Sequence, residues 1–482
     1  MPIPIMRPYQ DDLLNRGRRL MAQGVKRVIF QAMVGAGKGP MIGEVSRSAA
    51  AKGKRVLLLV HRRRLIGQLS RELDGFEVPH GVLMNGVPTK PSERIQVASK
   101  DTLISRAITN TWIKPPPADL VIVDECHNLP SKGYTDLAEV YPDAYHMGFT
   151  ATPARADGKG LGDFYKAMEC CIPTSELIKY GHIVPVKAYA PNQIGRKSKK
   201  TKREVGGDPV SHWLRLGENR PTIAFCKSVA ASKWLMNAFL MAGVVAEHLD
   251  AHTDDEDRDA MLNRLATGET QVVTNCSCLT EGVNVPVASC LIMLRMAASY
   301  TFYIQMMGRV MRAAPGKTHA IVLDHSDSVP HHGFPDQDVR WELTTSETIE
   351  DRNKKDRKDG KLKKPIACPA CGICYEGTIT CPACGFMLPR KLQTPELKRQ
   401  LLTEVPREEI TPEDLLVRKE RYWKSCLAIA AHKGGKCSMA GAMYKRNFGE
   451  WPSGSFRHAP RGSDWHRKVG DVFPQFLEAR SA

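Results

Sequence analysis

Short apolar runs, each followed by a polar turn, recur through the first two thirds of the chain. The clearest of them occupy residues 27–33, 54–60, 120–123, 221–226 and 271–276. Short, mainly apolar runs of this kind, rich in Val, Ile and Leu, are typical of strands buried on both faces of a parallel sheet. Helical patterns lie between them, so the sequence predicts an α/β fold. Polar turns of such folds gather at the carboxyl edges of the sheets, where ligands bind.

Two carboxylates, Asp124 and Glu125, directly follow the run at 120–123. One acid in this place can hold Mg²⁺, directly or through water. Its neighbour can orient or deprotonate a water molecule aimed at a γ-phosphate. A strand that ends in a solvated acidic turn is the alternative, and the segments upstream and downstream weigh against it.

A Gly-Ala-Gly-Lys turn at residues 35–38 follows the run at 27–33 and precedes a helical pattern. This order is typical of a phosphate cradle. The glycines let backbone N–H groups converge, the helix N-terminus favours anions, and Lys38 reaches the outer phosphates. Gly39 departs from the usual pattern, in which a Ser or Thr hydroxyl ligates Mg²⁺. We expect water to fill that place and Asp124 to carry the metal, with weakened metal binding.

Two polar segments near the start of the chain carry weaker signals. Arg7 and Gln10 open a helical pattern. They form either the surface of a helix start or a pocket over an adenine, whose edge Gln10 would read. Arg62 and Arg63 follow the run at 54–60, where a basic cluster is well placed to grip a phosphate backbone. A solvated helix start is the alternative for these arginines.

Two further motifs lie at residues 279–286 and 305–312, the second containing Arg309 and Arg312. The alternative for this arginine pair is two salt-bridged helix residues. Together with the earlier segments, these motifs resemble the motor core of superfamily 2 helicases and translocases over about residues 5–345. Within the superfamily, the Asp-Glu-Cys-His segment at 124–127 and the Cys-rich tail look most like bacterial and prophage RadD-type DEAD/DEAH-box proteins.

The resemblance implies two RecA-like parallel-sheet lobes in tandem, with ATP and Mg²⁺ clamped between them. The catalytic residues that it implies are Lys38 for the phosphates, Asp124 for magnesium, Glu125 for the attacking water, and Arg309 and Arg312 for the γ-phosphoryl charge. The nucleotide contacts that it implies are Arg7, Gln10, Gly35, Ala36, Gly37, Lys38, Gly39, Gly282, Asn284 and Gln305. The nucleic-acid contacts that it implies are Arg62, Arg63, Ser99, Thr253 and Thr274.

Charge and cysteine content narrow the class of partner and the compartment. The formal net charge is +17, which favours a polyanionic partner, with nucleic acid ahead of a membrane surface. The chain opens without a charged leader and apolar block, and no apolar run approaches the ~18 residues of a membrane helix. Five of the 14 cysteines crowd into residues 368–384. This pattern predicts reduced thiols and one metal site in a cytoplasmic protein.

Two Cys-Pro-x-Cys-Gly knuckles, at 368–372 and 381–385, have the spacing of a zinc ribbon. The Pro and Gly of these pairs favour as Zn²⁺ ligands Cys368, Cys371, Cys381 and Cys384. Cys374 also forms a Cys-x-x-Cys pair with Cys371, which leaves the ligand set ambiguous. A redox role is the alternative. The ribbon itself is expected to be structural or to bind nucleic acid.

The sequence thus predicts five segments and one main function. The segments are an ATP-binding lobe at 1–185, a helicase C-terminal lobe at 186–345, a charged linker at 346–365, the zinc ribbon at 366–387 and a mainly helical basic tail at 388–482, for nucleic-acid or partner binding. A solvated helix is the alternative for the charged linker. The predicted function is a nucleic-acid-dependent ATPase that acts as a helicase or translocase on DNA, with RNA left open, in repair, recombination or phage replication. Single-strand-binding or recombination proteins are the predicted protein partners. An ATP-binding clamp or accessory protein with impaired turnover is the alternative that Gly39 motivates.

Overall fold

Strands and helices alternate along the chain, as the apolar runs predict. The computed structural model describes residues 3–61, 63–84, 90–103, 114–128, 131–155, 158, 160–190, 207–280, 285–344, 347–360, 362–387, 419–420, 423, 426–427 and 437–448. Its strands are β1 Arg27–Gln31, β2 Val56–Val60, β3 His80–Leu83, β4 Ile95–Ser99, β5 Leu120–Asp124, β6 Tyr145–Thr150, β7 Ala167–Cys170, β8 Val186–Tyr189, β9 Thr222–Phe225, β10 Ala246–Leu249, β11 Val272–Asn275, β12 Cys290–Met293, β13 Ala320–Asp324, β14 Ile366–Ala367 and β15 Cys374–Tyr375. Its helices are α1 Pro8–Ala22, α2 Lys38–Ala51, α3 Arg63–Gly75, α4 Lys100–Thr102, α5 Ser131–Val140, α6 Thr174–Lys179, α7 Pro209–Leu216, α8 Val229–Met241, α9 Asp255–Thr267, α10 Tyr300–Met307, α11 Ser328–His332, α12 Ile349–Lys358 and α13 Cys437–Phe448.

The first sheet is parallel and runs in the order β3-β4-β2-β5-β6-β1-β7 among the described strands. Its central strands pair in register, with Leu58 beside Ile122 and Ile122 beside Met147. All residues of β2 and β4 are buried, whereas β5 ends in the partly exposed Asp124. Strands buried on both faces explain the unbroken apolar runs of the sequence. Because the strands are parallel, the carboxyl ends of β1, β5 and β6 meet at one edge of the sheet.

The chain divides into two compact units. Unit 1 comprises residues 1–207 and 277–386, and unit 2 comprises residues 208–276 and 387–482. Besides the first sheet, unit 1 contains parallel strands in the order β12-β13-β8, and unit 2 contains parallel strands in the order β10-β11-β9. Parallel α/β sheets in successive parts of the chain confirm the predicted fold class of two lobes in tandem. The domain limits drawn from the sequence stay a prediction.

Helix α12 lies within the segment predicted to be a charged linker. Ile349, at its start, is 4% exposed, and the Glu350 carboxylate accepts a hydrogen bond of 2.6 Å from the backbone N–H of Tyr300. Near the other end, Arg357 Nη1 donates to the carbonyl oxygen of His331 at 3.2 Å. These contacts hold α12 against α10 and α11, so this part of the segment is packed structure.

Helix α13 belongs to the predicted helical tail. Tyr444 on α13 is 1% exposed and packs edge-on against Trp423, with ring centroids 5.9 Å apart. This contact agrees with the predicted helical character of the tail. Among the helices that the structure describes, none has both the length and the apolar character needed to cross a membrane.

Candidate nucleotide site

The Gly-rich turn between β1 and α2 adopts a backbone that glycine permits. Gly35 has φ +91° and Gly37 has φ +84°, a region that L side chains rarely enter. Lys38 is the first residue of α2, so the turn leads directly into a helix N-terminus. Unpaired N–H groups and the helix dipole at such a terminus favour a phosphate. The turn is therefore shaped as the sequence predicts for a phosphate cradle.

Lys38 and Glu125 form an ion pair across this edge of the sheet. The Lys38 Nζ lies 2.6 Å from Glu125 Oε1, and both side chains are 13% exposed. Glu125 has φ +46°, which is uncommon for a residue with a side chain and concentrates at functional sites. Its backbone N–H donates to Asp124 Oδ1 at 2.9 Å. The two acids and the cradle lysine thus form one cluster.

The Asp124 carboxylate fits a divalent cation. Burial, reinforced by the neighbouring Glu125 carboxylate, raises the pKa of Asp124 to about 6. A cation beside Asp124 would compensate the negative charge that burial disfavours, and carboxylate oxygens are ligands that Mg²⁺ prefers. The chemistry of this residue agrees with its predicted place in a magnesium site.

Replacing Asp124 with asparagine is expected to stabilise the nucleotide-free protein at pH 7.5. The folded-state pKa is raised, so the ionised carboxylate destabilises the fold above about pH 6, and this penalty disappears as the pH falls toward 4. The gain is at most about 3 kcal/mol at pH 7.5. Thermal melting of both proteins between pH 5 and 8 measures it. A stability difference that grows toward low pH would contradict the assignment.

A hydrogen-bond chain connects Glu125 to the motif at 305–312. Gln305 Nε2 lies 3.1 Å from His127 Nε2, and His127 Nδ1 lies 2.8 Å from Thr150 Oγ1. Because an amide nitrogen only donates, His127 Nε2 accepts, and the ring carries its proton on Nδ1. The Thr150 hydroxyl in turn faces Glu125 Oε2 at 3.5 Å and the carbonyl oxygen of Thr152 at 3.2 Å. Residues 178 positions apart in sequence are therefore joined at the acid cluster.

The same motif packs directly on the phosphate cradle. A Cβ atom on Gly308 would collide with the side chain of Val34, so glycine permits the close approach at this point. A Cβ atom on Gly35 would lie 3.6 Å from Arg312 Cγ. Arg309 Nε donates to the carbonyl oxygen of Gln305 at 3.3 Å. The predicted arginine motif and the predicted cradle thus meet within unit 1.

Arg309 and Arg312 bring two guanidinium groups to this region. Arg309 is 6% exposed. Burial, together with the neighbouring Arg309 charge, lowers the pKa of Arg312. A guanidinium keeps its proton at neutral pH even so, which leaves two like charges close together in a desolvated place. A polyanion bound at the cradle would relieve their repulsion.

The amide group of Gln10 hydrogen-bonds the backbone of the cradle. Its Nε2 donates to the carbonyl oxygens of Ala36 at 2.9 Å and Gly37 at 3.3 Å, and its Oε1 accepts from the backbone N–H of Arg7 at 2.9 Å. The Tyr9 hydroxyl donates to the same Ala36 oxygen at 2.9 Å. The predicted reading of an adenine edge by Gln10 stays a prediction, because its amide is engaged with the backbone in this structure.

The residues that the resemblance implies as nucleic-acid contacts differ in their exposure and hydrogen bonding. Ser99 is 3% exposed and its hydroxyl accepts from the backbone N–H of Thr102 at 3.2 Å. Thr274 is fully buried and donates to the carbonyl oxygen of Ser232 at 3.0 Å, whereas the partly exposed Thr253 accepts from the N–H of Asp250 at 3.0 Å. Contact with nucleic acid stays a prediction for all of them. Arg63 begins α3 but its side chain lies outside the described residues, as do Arg62, Gly282 and Asn284.

His127 and Thr150 are functional candidates to which the sequence assigned no role. His127 ends the segment at 124–127, and Thr150 begins a Thr-Ala-Thr segment at 150–152 that also resembles a helicase motif, so these positions were the available signal. Their link to Gln305 depends on a fold that brings three distant segments together, which no local pattern reveals.

Four cysteines form a second candidate site, at the predicted ribbon. The Sγ atoms of Cys368, Cys371, Cys381 and Cys384 all lie within 4.8 Å of one another, with separations of 3.6 Å for Cys368–Cys384 and 3.8 Å for Cys371–Cys381. Tetrahedral zinc with Zn–S bonds of about 2.3 Å requires S···S distances of about 3.8 Å. The cluster therefore fits Zn²⁺. Cys374 is outside it and buried in β15.

The ribbon docks on the edge of strand β8. Tyr189 forms an antiparallel bridge with Ile373, and the Ala190 N–H donates to the carbonyl oxygen of Gly372 at 3.0 Å. Gln337 Nε2 donates to Glu376 Oε1 at 2.8 Å. The ribbon thus covers strand β8, whose free edge would otherwise expose backbone groups.

Replacing Cys381 with serine is expected to remove most of the zinc and to expose β8. In small zinc modules metal binding supplies much of the folding free energy, so the ribbon should unfold. Metal analysis and hydrogen exchange at residues 186–190 measure both effects. The matched control is Cys374→Ser, which should keep about one zinc ion per chain. Loss of zinc in the control would return Cys374 to the ligand set.

Comparison with known proteins identifies the family. A family model described as the type III restriction enzyme res subunit matches residues 4–155, and one described as the helicase conserved C-terminal domain matches residues 208–314. Over 331 residues the chain is 30% identical to a 51.5 kDa protein of Lactococcus phage isolate 7-9, covering 65% of this chain and 68% of that protein. The chain belongs to the superfamily 2 helicases.

Two further relatives of this helicase are more distant. A Schizosaccharomyces pombe protein, named as a candidate mitochondrial ATP-dependent helicase, is 26% identical over 352 residues, covering 67% of this chain and 58% of the yeast protein. The DNA-bound structure of the type ISP restriction-modification enzyme LlaBIII matches with a TM-score of 0.51 and 17% identity, covering 67% of this chain and 28% of that one. The second match shows the fold alone. The finer likeness to RadD-type proteins stays a prediction.

Proposed function

We propose that this superfamily 2 helicase hydrolyses ATP in a nucleic-acid-dependent cycle and acts as a helicase or translocase on DNA. The single observation that carries the proposal is the packing of the arginine motif on the phosphate cradle, with Gly308 against Val34 and Arg312 beside Gly35. A cradle lysine, two acids and a guanidinium pair are the parts that γ-phosphoryl transfer to water requires.

Each side chain then has a chemical task. In the structure Lys38 neutralises Glu125, and a triphosphate in the cradle would draw the ammonium group to its own oxygens. Glu125, released from that pair, accepts a proton from the attacking water. Asp124 would hold Mg²⁺, which would supply charge neutralisation to the bound triphosphate. Arg309 and Arg312 stabilise the negative charge of the transition state.

The series of hydrogen bonds from Gln305 through His127 and Thr150 connects the arginine motif to Glu125. We propose that binding of nucleic acid changes ATP turnover by shifting this series, because a displacement of Gln305 alters the bonds that orient the catalytic carboxylate. Stimulation by nucleic acid would then require no residue at the acid cluster to touch the nucleic acid itself.

DNA is the proposed nucleic acid. The net charge of +17 supports a polyanionic partner. The DNA-bound type ISP restriction-modification enzyme supports DNA over RNA as the partner. We propose a role in repair, recombination or phage replication, with which the phage source of one relative agrees.

Strand displacement tests the proposed function. We expect release of a labelled strand from partial DNA duplexes with 3′ or 5′ overhangs when ATP is present, and none with a non-hydrolysable analogue. Matched RNA duplexes should release their strands at least tenfold more slowly. ATP turnover without strand release would favour a translocase. Absence of both would contradict the proposal.

A second candidate function is an ATP-dependent nucleic-acid clamp, favoured by Gly39 alone. The residue that normally supplies a magnesium-ligating hydroxyl is a glycine here. A clamp would bind DNA more tightly with ATP than without it and complete no more than one turnover per chain. Multiple turnovers in the presence of DNA would exclude it.

A further inference from the structure

The carboxylate of Glu72 lies where a side chain at position 39 would project. A Cβ atom placed on Gly39 would lie 2.8 Å from Glu72 Oε1 and 2.9 Å from its Cδ. Gly39 follows the cradle lysine in the first turn of α2, and Glu72 lies on α3. An acid of this chain therefore stands beside the one cradle position that departs from the usual pattern.

Glu72 is a half-buried acid without a partner in the part of the chain that the structure describes. No Lys, Arg or His there forms an ion pair with it, and no side-chain or backbone donor there hydrogen-bonds its carboxylate. Burial alone raises its pKa. A desolvated carboxylate that lacks a donor or a cation costs free energy in the ligand-free protein, which points to a cationic ligand.

Close helix packing accounts for the glycine but not for the acid. Gly43, one turn after Gly39, faces the ring of Phe76, so both glycines let α2 approach α3. An alanine or leucine opposite Gly39 would meet this steric requirement equally well. The charge of Glu72 needs a separate explanation.

We propose that Glu72 replaces the missing hydroxyl and helps to hold the Mg²⁺ of the bound nucleotide through a coordinated water molecule. Carboxylate oxygens are good ligands for Mg²⁺ and for its waters, and Mg²⁺ keeps several waters in nucleotide sites. The inference rests on the proposed function for the presence of a nucleotide. It also predicts that Glu72 repels a metal-free nucleotide, which makes nucleotide binding depend strongly on the cation.

Metal affinity, measured apart from turnover, tests the inference. The full chain with saturating ADP is titrated with Mn²⁺, and free Mn²⁺ is followed by electron paramagnetic resonance. Glu72→Gln should weaken Mn²⁺ binding about tenfold. It should also tighten binding of fluorescent ADP in chelator, because the repulsion is gone. The matched control is Asp74→Asn, two residues away on α3, where the carboxylate is 70% exposed, and it should behave as wild type.

A compensating variant separates metal binding from packing. Adding Gly39→Ser to Glu72→Gln restores a hydroxyl at the usual position and should recover most of the Mn²⁺ affinity. Glu72→Asp keeps the negative charge. If Glu72→Gln lowers the melting temperature, the Mn²⁺ affinity of Glu72→Asp provides an independent measurement. Unchanged Mn²⁺ affinity in Glu72→Gln, or equal weakening of ADP binding with and without metal, would overturn the inference.

ATP turnover of the same wild-type preparation keeps the two proposals apart. ATP turnover with DNA, together with unchanged Mn²⁺ affinity in Glu72→Gln, would contradict the role of Glu72 and leave the proposed function intact. Weakened Mn²⁺ binding in that variant, without any turnover by wild type, sinks the proposed function only. If wild type binds no Mn²⁺ with ADP, the role of Glu72 is overturned as well.

Discussion

Replacing Glu125 with glutamine is expected to lower DNA-stimulated ATP turnover about 10³-fold. The amide keeps the size of the side chain but cannot accept the proton of the attacking water. The change also removes the ion pair with Lys38, whose Nζ lies 2.6 Å from Glu125 Oε1. Lys38 is then free for the phosphates, so ATP should bind at least as tightly as in wild type, and the ATP complex should accumulate.

Single-turnover hydrolysis and fluorescent-ATP binding measure the two effects separately. The matched control is Glu139→Gln on α5, an exposed acid that should leave both unchanged. A fall in turnover that is matched by an equal loss of ATP affinity would assign Glu125 to nucleotide binding. Near-normal turnover in Glu125→Gln would remove it from the catalytic cluster.

Replacing Arg312 with alanine is expected to lower ATP turnover by about 10³-fold or more, with a small effect on ATP binding. Its guanidinium would act on charge that develops only in the transition state. Burial and the charge of Arg309 already disfavour the charged form of Arg312, and a melting curve separates any change in stability from the change in rate. Arg312→Lys should recover only a minor part of the rate, because an ammonium group lacks the planar fork of donors.

The measurement is kcat and the ATP dissociation constant for both variants, beside a melting curve. Arg340→Ala, at a side chain that is 90% exposed, is the matched control and should retain the wild-type rate. A loss confined to ATP affinity would contradict the role given to Arg312. Arg309→Ala, tested in parallel, shows whether the pair acts as a unit or as two separate contacts.

The parts of this fold that depend on local pattern were predictable from the sequence. Unbroken apolar runs become strands such as β2, in which every residue is buried. The spacing of the Cys-Pro-x-Cys-Gly pairs predicted the cysteine cluster, since two short knuckles can only bring their thiolates to one centre. In patterns of this kind the spacing of residues in sequence determines their arrangement in space, because all the residues involved are close neighbours in sequence.

Contacts between distant segments were not predictable in the same way. The pairing of Lys38 with Glu125 and the bond from Gln305 to His127 join residues 87 and 178 positions apart. The place of Glu72 beside Gly39 depends on how closely α2 and α3 pack, which the two glycines on α2 decide. The sequence showed that position 39 lacks a hydroxyl, but only the fold shows which side chain lies against it.

Steady-state ATP hydrolysis by the wild-type chain, with and without saturating single-stranded DNA, most directly tests whether the cradle, the acids and the arginine pair form one hydrolytic site. We predict a stimulation of at least tenfold that Glu125→Gln and Arg312→Ala both abolish. Equal rates with and without DNA, or full stimulation in either variant, would contradict it.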